Sequence, residues 1–451
     1  IVVKGATSIL GAPKPAQEKP AATDEPLIPE PLAGAGTLLN RPDTRDWQNS
    51  AVVGTIEDRE EPGIWLGQAT RFSLSELGTQ RPVTAFLRPI VADRMIEITD
   101  GVVTGIAPAG EAVEQADAHF DIVAPGFIDL QINGAGGALF NDAPNEGTLR
   151  TMISAARKGG TCHMLPTFIT AAGDAYRQAM AAVAAFSGPE VLGLHLEGPF
   201  LSPDKPGIHP KDAIRTIADD DIGALVSHRG LILLTLAPEH VTAEQMARLD
   251  KAGIVLFAGH TNATAETISA AAGQGLAGVT HLFNACSQMQ AREPGVVGAA
   301  LADPRLSAGI IADGVHVHAN ALRVASRTMA GRLFLVTDSM PTFGGPADSF
   351  MLGGQEIIRV GNRLQSGSGT LAGAHLGMNE AVANMVALAD VPLAHALHMA
   401  SGVPAAVLGL DQIYGSIAEG WPASLTCLAA DLTPEAVYVH GCRSAAYRPS
   451  L

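Results

Sequence analysis

The sequence predicts an α/β fold, a (β/α)8 barrel of the TIM type with a small β-sandwich-like domain built from both flanks of the barrel. Eight apolar, strand-like runs recur between residues 127 and 339, and Ala-rich amphipathic stretches such as LRTMISAARKG separate most of them. Strands that alternate with helices form right-handed βαβ units, and eight such units suit a closed parallel barrel. Shorter strand-like runs with turn signals precede and follow this region.

The eight predicted barrel strands each end in polar side chains. The strands are FIDLQIN from Phe127, TCHMLPTF from Thr161, VLGLHLEGP from Val191, LILLTLAP from Leu231, IVLFAGHT from Ile254, GVTHLFN from Gly278, SAGIIADG from Ser307 and RLFLVTDS from Arg332. The polar residues at their ends are Gln131, Asn133, Thr167, Glu197, Glu239, His260, His281, Asp313 and Asp338. A barrel gathers the carboxyl ends of its strands at one mouth, where catalytic groups sit. An open doubly wound sheet is the alternative, but no glycine-rich dinucleotide fingerprint follows the first strand.

The flanks of the barrel predict two further units. MIEITDG and VVTGIAPAG before the barrel, and SLTCLAAD and AVYVHG after it, have the pattern of short strands. We therefore expect residues 81–125 and 411–451 to form the small β domain beside a barrel domain at residues 126–410. Residues 1–80 include GAPKPAQEKPAATDEPLIPEPLAGAG, a composition that buries little apolar surface. This segment is predicted to be an unassigned, partly disordered extension.

The composition restricts the partners and the compartment. A formal net charge of −16 argues against a nucleic-acid partner, because that binding depends on neutralising phosphates with cations. It permits one small anion, for which a few local cations or backbone N–H groups suffice. The four cysteines form no CxxC pair, no run of about 18 apolar residues predicts a membrane span, and the first ten residues are a poor secretory signal. The expected location is therefore cytoplasmic, with reduced thiols.

One carboxylate and two imidazoles at predicted strand ends suggest a metal site. Glu197 closes the third strand, His260 the fifth and His281 the sixth. Such a set binds a catalytic divalent metal and leaves a position open for water, whose pKa the metal lowers. An ordinary core or loop histidine is the alternative for each imidazole. His195, two residues before Glu197, is a second ligand or, preferably, an orienting group.

Four more polar residues are candidates for proton transfer or substrate binding. Asp338, at the end of the eighth strand, could act as general base and then general acid, or cap the following segment. His209, on the loop after the third strand, could hydrogen-bond a substrate carbonyl, and His316 could touch the substrate after the seventh. Arg292 suits a phosphate group, although an ordinary solvated arginine is the alternative.

Seven motifs occur in a fixed order along the chain. They are PGFIDLQINGAGG, GLHLEGPF, AGHTNA, VTHLFNA, ADGVHVH, LVTDSM and GTLAGA. In order and spacing they resemble the N-acetylglucosamine-6-phosphate deacetylases of the amidohydrolase superfamily. The resemblance extends from about Arg81 to about Gly441. It implies hydrolysis of the acetamide of N-acetylglucosamine 6-phosphate to glucosamine 6-phosphate and acetate, in amino-sugar catabolism or recycling.

The resemblance implies a role for each matching residue. Glu197, His260 and His281 match metal ligands, and Asp338 matches the proton-transferring carboxylate. The positions that match substrate contacts are Ile208 and His209, with the histidine near the acetyl carbonyl, Asn284, Ala285, Arg292 and His316 around the sugar phosphate, and the backbone of Leu371, Ala372 and Gly373. Some of these contacts would cross a subunit interface, because the resemblance implies a homo-oligomer, often a dimer.

Gln131 and Asn133 bear on the number of metal ions. Many amidohydrolases have His-x-His at these positions, which supports a second metal. Neutral amides are weak ligands for zinc, so we predict one divalent metal per subunit, zinc in preference to iron or another ion. The expected partner is a small sugar phosphate, with no nucleic acid and no membrane. Three alternatives stay open, namely the galactosamine epimer as substrate, a different amidohydrolase activity, and a non-catalytic barrel that binds sugar phosphate.

Overall fold

The structure, a computed structural model, describes residues 94–108 and 116–445. The predicted extension at residues 1–80 lies outside the described residues. The strands of the described part are β1 (Arg94–Thr99), β2 (Val102–Pro108), β3 (Ile122–Pro125), β4 (Phe127–Ile132), β5 (Gly134–Ala135), β6 (Ala138–Leu139), β7 (Thr161–Ile169), β8 (Gly193–Glu197), β9 (Leu231–Leu236), β10 (Val255–Ala258), β11 (Leu276–Val279), β12 (Ser307–Ile311), β13 (Leu333–Val336), β14 (Ser349–Leu352), β15 (Gln355–Val360), β16 (Arg363–Ser366), β17 (Leu371–Ala374), β18 (Leu425–Leu428), β19 (Pro434–Val439) and β20 (Cys442–Ala445). The α-helices are α1 (Glu146–Ala156), α2 (Tyr176–Ala185), α3 (Asp219–Ser227), α4 (Ala243–Lys251), α5 (Ala265–Ala272), α6 (Gly295–Ala302), α7 (Ala319–Thr328), α8 (Met378–Ala389), α9 (Leu393–Met399) and α10 (Gly402–Val407).

The centre of the molecule is a parallel barrel of eight strands. Strands β4 and β7–β13 pair in chain order in one sheet, and each of its ladders is parallel. A helix follows each of the strands β4 and β7–β12 before the next barrel strand. The predicted (β/α)8 barrel is confirmed, and the eight runs expected from the sequence are its eight strands.

The seam between the last strand, β13, and the first, β4, has no continuous ladder. It is bridged instead by a few contacts just beyond β13, where Ile132 pairs with Ser339. The Asp338 N–H donates to the Gln131 carbonyl at 2.9 Å, and the Asn133 N–H donates to the Ser339 carbonyl at 2.9 Å. The two ends of the barrel sheet therefore meet at the residues that the sequence places at the mouth.

Local sequence explains why the barrel elements form. Every residue of β7 is buried, as expected for a barrel strand covered on both faces. Helix α4 begins at a capping box in which Thr242 accepts from the Gln245 N–H and the Gln245 side chain accepts from the Thr242 N–H. The helix buries Met246 and Leu249 on one face, which packs it against the barrel.

An antiparallel sheet of four strands, β14–β17, is inserted after the last barrel strand. The sequence pattern does not predict this sheet. Its strands are only 4 to 6 residues long, and it buries Leu352, Ile357 and Leu364 on one face while Met351 remains exposed. The insertion returns the chain to the mouth of the barrel, because the Met340 N–H donates to the Ala374 carbonyl at 3.1 Å.

The remaining strands come from both flanks of the barrel. Strand β3 pairs antiparallel with β18, which continues through β19 to β20. The β1–β2 hairpin joins this region through the Val103 N–H, which donates to the Trp421 carbonyl at 2.9 Å. This pairing supports our proposal that residues 81–125 and 411–451 form one small domain, of which residues 81–93, 109–115 and 446–451 lie outside the described residues. In the part of the chain described, none of the helices combines the length and the apolar character needed to cross a bilayer.

A buried carboxylate fixes the start of helix α3. Asp221 accepts two hydrogen bonds from the Arg215 guanidinium at 2.6 and 2.7 Å, one from the Tyr176 hydroxyl at 2.8 Å and one from the Ala218 N–H at 2.8 Å. Burial alone would raise the pKa of Asp221, but these donors, Arg215 above all, lower it to about 2. This contribution to stability is present above the unfolded-state pKa of about 3.9 and is lost as the pH falls towards 2.

Replacing Asp221 with Asn should therefore lower the free energy of unfolding by about 3 kcal/mol, because it leaves a partly buried guanidinium with only the exposed, more distant Asp174 carboxylate, at 3.6 Å, as a charge partner. Urea unfolding at pH 7 measures this change. Asp220→Asn is the matched control, since Asp220 is 86% exposed and its ion pair with Arg177 lies at the surface. Equal effects of the two substitutions would contradict the assigned role of Asp221.

Candidate active site

Three donor atoms converge at the mouth of the barrel. Glu197 is the last residue of β8, and His260 and His281 follow β10 and β11. The Glu197 Oε1 atom lies 3.1 Å from His260 Nε2 and 2.9 Å from His281 Nε2, and the two Nε2 atoms are 3.1 Å apart. All three side chains are buried. The structure thus brings together the three residues that the sequence singled out as metal ligands, and we call them the donor cluster.

The chemistry of the donor cluster fits a cation. His260 Nδ1 lies 3.0 Å from the Lys205 carbonyl, which can only accept, so Nδ1 carries the proton and Nε2 presents a lone pair. That lone pair faces a carboxylate oxygen and a second imidazole nitrogen, so these three atoms need a shared proton or a metal cation between them. Burial alone would raise the pKa of Glu197, but His260 and His281 hold it well below its usual range. The residues present therefore suit a divalent metal.

Left-handed backbone marks the mouth of the barrel. His260, His281 and Asp338 have φ angles of 48°, 31° and 49°. Side chains other than glycine adopt this region rarely, at a cost of about 1–3 kcal/mol each. Strain of this kind clusters at functional sites, because the surrounding structure must hold it in place. These left-handed turns direct the side chains of His260, His281 and Asp338 towards one another where their strands end.

Asp338 lies beside the donor cluster and is held by two amides. Its Oδ1 atom accepts from Asn133 Nδ2 at 2.6 Å and from Gln131 Nε2 at 3.2 Å. Gln131 Nε2 also lies 3.3 Å from Glu197 Oε2, so one amide spans both carboxylates. Burial and, next, the negative charge of Glu197 raise the pKa of Asp338 to about 6. The two neutral residues at the end of β4 therefore orient the candidate base.

His209 extends the donor cluster by a third imidazole. One of its ring nitrogens lies within 4.8 Å of ligand atoms of Glu197 and His260, and its ring centroid is 4.2 Å from that of His260. His209 Nδ1 is 2.9 Å from Thr170 Oγ1, a residue that the sequence analysis did not single out. Thr170 carries no motif signal, and only the fold reveals that its hydroxyl orients the imidazole.

Two further predicted residues are anchored near the mouth. His316 Nδ1 lies 2.6 Å from Asp313 Oδ2, and Asp313 Oδ1 also accepts the N–H groups of Val315 and His316 at 2.8 Å. Asn284 Nδ2 donates to the His281 carbonyl at 3.3 Å. Asp313 thus fixes the ring of His316, while Asn284 sits directly behind a member of the donor cluster.

Most of the other predicted substrate residues are packed near the mouth of the barrel, whereas Arg292 is exposed to solvent. Leu371, Ala372 and Gly373 lie in β17, beside the Ala374 N–H that donates to the Asp338 carbonyl at 2.9 Å. Ile208 is half-buried and packs against the apolar cluster that includes Met340, while the Ala285 carbonyl accepts from the Thr261 N–H at 3.2 Å. Arg292 is different: it is exposed on the loop before α6, and its side chain makes no hydrogen bond or ion pair with the described residues.

His195 points into the barrel below Glu197, yet its ring is fully engaged. Its Nδ1 atom lies 3.1 Å from Thr167 Oγ1 and its Nε2 atom 2.8 Å from Thr235 Oγ1. Burial lowers the pKa of His195 to about 4, so the ring is neutral. Because both nitrogens are used by hydroxyls, His195 supports the layer beneath the donor cluster rather than adding a ligand.

Comparisons with known proteins agree with this geometry. The pattern that defines the amidohydrolase family matches residues 122–443. The chain is 39% identical to the N-acetylgalactosamine-6-phosphate deacetylase of Shewanella sp. (strain ANA-3), covering 77% of this chain and 90% of that protein. It is 34% identical to the N-acetylglucosamine-6-phosphate deacetylase of Haemophilus influenzae, covering 78% of this chain and 95% of that protein.

A solved structure gives the same result. The N-acetylglucosamine-6-phosphate deacetylase of Pasteurella multocida superposes with a TM-score of 0.75 at 32% identity, covering 79% of this chain and 96% of that one. The similarity therefore extends over most of the described residues, beyond the donor cluster alone.

Proposed function

Since the chain belongs to the amidohydrolase family, we propose that it hydrolyses the acetamide of N-acetylglucosamine 6-phosphate to glucosamine 6-phosphate and acetate. The observation that carries this proposal is the donor cluster, with Asp338 beside it and hydrogen-bonded to the same Gln131 amide as Glu197. A linear amide needs an activated water, a polarised carbonyl and a proton for the leaving amine, and the residues at the mouth are of the types that supply these.

We assign the metal to Glu197, His260 and His281. One divalent ion per subunit, zinc in preference to iron, suits two imidazoles and one carboxylate. When bound, such an ion polarises the acyl oxygen and lowers the pKa of water. Gln131 and Asn133 support a single ion, because both amides donate hydrogen bonds to Asp338 Oδ1. The oxygens of these neutral amides are also weak ligands for zinc, which favours one tightly held ion.

Asp338 is assigned the proton transfers. Its Oδ1 atom is occupied by two amide donors, which leaves Oδ2 to accept the proton of the attacking water. The water oxygen then bonds to the acetyl carbon, the C–N bond breaks, and Asp338 passes the proton to the departing nitrogen. His209 is assigned to the acetyl group in the tautomer in which Nδ1 accepts the Thr170 hydroxyl proton, so that Nε2 carries the N–H that stabilises the developing oxyanion.

We assign the sugar and its phosphate to the rim of the mouth. Ile208, Asn284, Ala285, His316 and the backbone of Leu371, Ala372 and Gly373 would line the sugar. Arg292 would bind the phosphate, partly across the interface of a homodimer. The Arg292 side chain is exposed and has no partner among the described residues, which supports a phosphate site that is completed by a second subunit.

The test of the assigned activity is an acetate-release assay combined with metal analysis of the same preparation. N-acetylgalactosamine 6-phosphate should be assayed in parallel, because the Shewanella relative at 39% identity favours this epimer as a second candidate. A higher kcat/KM for the galactosamine epimer would reassign the substrate. Sugar-phosphate binding without acetate release, after reloading with zinc, would instead support a non-catalytic barrel.

Replacing Arg292 with Ala should lower kcat/KM for the phosphorylated substrate by roughly 10- to 100-fold, the value of one charge-assisted pair. Turnover of unphosphorylated N-acetylglucosamine should stay unchanged, because that sugar offers no anion. Arg229, exposed before β9 at the opposite end of the barrel, provides the matched control Arg229→Ala. An equal loss with both sugars would contradict the phosphate role and favour a different amidohydrolase activity.

We also propose a cytoplasmic protein with a small-molecule partner and no nucleic acid or membrane partner. The four cysteines are unpaired, and Cys162, Cys286 and Cys427 are buried, as expected in a reducing compartment. The net charge of −16 opposes binding to phosphate backbones.

A further inference from the structure

A buried carboxylate spans the seam of the barrel. Asp129, in β4, has no exposed surface, and its Oδ2 atom accepts the Thr337 hydroxyl at 2.5 Å. Its Oδ1 atom accepts the Thr337 N–H and the Gln131 N–H, both at 3.2 Å. Strands β4 and β13 share no continuous ladder. The Asp129 side chain therefore supplies hydrogen bonds between the two strand ends that backbone pairing would otherwise provide.

The Thr337 hydroxyl connects Asp129 to Ser339, the residue that follows Asp338. Thr337 Oγ1 accepts from the Ser339 N–H at 3.2 Å, so its own proton is free to go to Asp129. The residues before and after Asp338 are thereby tied to one buried group. Asp338 itself keeps φ at 49° between them, a conformation that an isolated Asp adopts rarely.

We propose that Asp129 is a positioning residue, which acts through Thr337 to hold Asp338 in its left-handed turn and aimed at the donor cluster. The role rests on the proposed function, because it concerns the carboxylate assigned to the proton transfers. The hydrogen bonds of Asp129 go to Thr337 and Gln131, and it makes none with the donor cluster. Its effect therefore reaches Asp338 by two routes, through Thr337 and through Gln131, whose Nε2 atom donates to Asp338 Oδ1 at 3.2 Å, and substitutions at Thr337 isolate the first route.

The test compares two substitutions at Thr337. Thr337→Val keeps the shape of the side chain but removes the hydroxyl, whereas Thr337→Ser keeps the hydroxyl. The valine variant should lose roughly 10- to 100-fold in kcat, the cost of misplacing a catalytic group by about 1 Å, with KM and metal content nearly unchanged. The serine variant should keep kcat close to that of the wild type. Equal kcat values for valine, serine and wild type would overturn the proposal.

Thr426→Val is the matched control for a general loss of stability. Thr426 is a buried threonine of β18 that contacts the other end of the barrel, where its hydroxyl donates to the Gly160 carbonyl at 2.7 Å and accepts from the Phe127 N–H at 3.1 Å. It should lower the melting temperature without lowering kcat. A matching fall of kcat in this control would show that the effect at Thr337 is only structural.

A second readout separates this proposal from the proposed function. A crystal structure of Thr337→Val should show Asp338 shifted, with its contact to Asn133 Nδ2 lost, whether or not the wild type releases acetate. If the wild type releases no acetate, the proposed function fails while the shift still tests the positioning role. Asp129→Asn serves if the valine variant does not fold, because it keeps the shape but places an amide donor opposite the Thr337 hydroxyl. An unmoved Asp338 in the variant examined would overturn the proposal.

Discussion

Replacing Asp338 with Asn should lower kcat for N-acetylglucosamine 6-phosphate by roughly 100- to 10,000-fold, the contribution typical of a positioned general base and acid. An amide cannot take up the proton of the attacking water. Asn also tolerates the left-handed backbone that Asp338 adopts, with φ at 49°, so the turn itself should persist. The substitution therefore isolates the chemistry of the carboxylate from its geometry.

Acetate release measures the loss in the Asp338→Asn variant, while metal analysis and calorimetric binding of the substrate measure what remains. Metal content and substrate affinity should stay close to those of the wild type, because the donor cluster is unchanged. Asp220→Asn, at an exposed site, controls for the substitution itself. Retained turnover in the Asp338→Asn variant would refute the role of the carboxylate.

Replacing Glu197 with Gln should remove the metal and the activity together. Glu197 Oε1 lies within 3.1 Å of both imidazole nitrogens and is the only anionic ligand assigned to the site. Loss of even an outer partner of a metal site costs about 10- to 100-fold in affinity, so loss of the charged ligand should cost at least that much. A purified Glu197→Gln protein should contain well under one metal ion per chain.

Chelation and reloading complete the Glu197 test. The wild type should lose activity when its metal is removed and regain it when zinc is added, whereas the Glu197→Gln variant should not recover. Glu239→Gln is the matched control, since Glu239 also follows a barrel strand but accepts from the Thr261 hydroxyl and, at 2.8 Å, from the Asn262 N–H. This control should keep its metal. Full activity in metal-free wild type would rule out the assigned metal dependence.

The sequence predicted the elements that repeat and the residues that end them. Apolar runs of strand length, separated by amphipathic stretches, identify all eight barrel strands, because a strand buried on both faces leaves a strong signal. Glu197, His260 and His281 could be grouped in advance since every parallel strand of a barrel ends at the same mouth. The distances that the structure gives among them, 2.9 to 3.1 Å, agree with that grouping.

Other features left no signal in the sequence. The β14–β17 insertion consists of short strands with one exposed face, a pattern that resembles polar loops. Thr170 and Thr337 are single hydroxyls whose partners are distant in the chain, for Thr337 by 208 residues. Such pairs depend on how strands meet, which local composition does not encode. Glu239, expected among the converging groups, instead fixes the loop after β10.

The seam between β13 and β4 implies an order in which the parts of the active site form during folding. Glu197, His260 and His281 all lie within the interior of the chain, whereas Asn133 and Asp338 stand on opposite sides of the closure and are 205 residues apart. If the barrel closes last, the donor cluster can form while the first and last barrel strands are still apart. The Asp338 carboxylate would then still lack its hydrogen bonds from the Gln131 and Asn133 amides. Affinity for the ion and competence in hydrolysis should therefore arise at separate moments of folding, with competence arriving last.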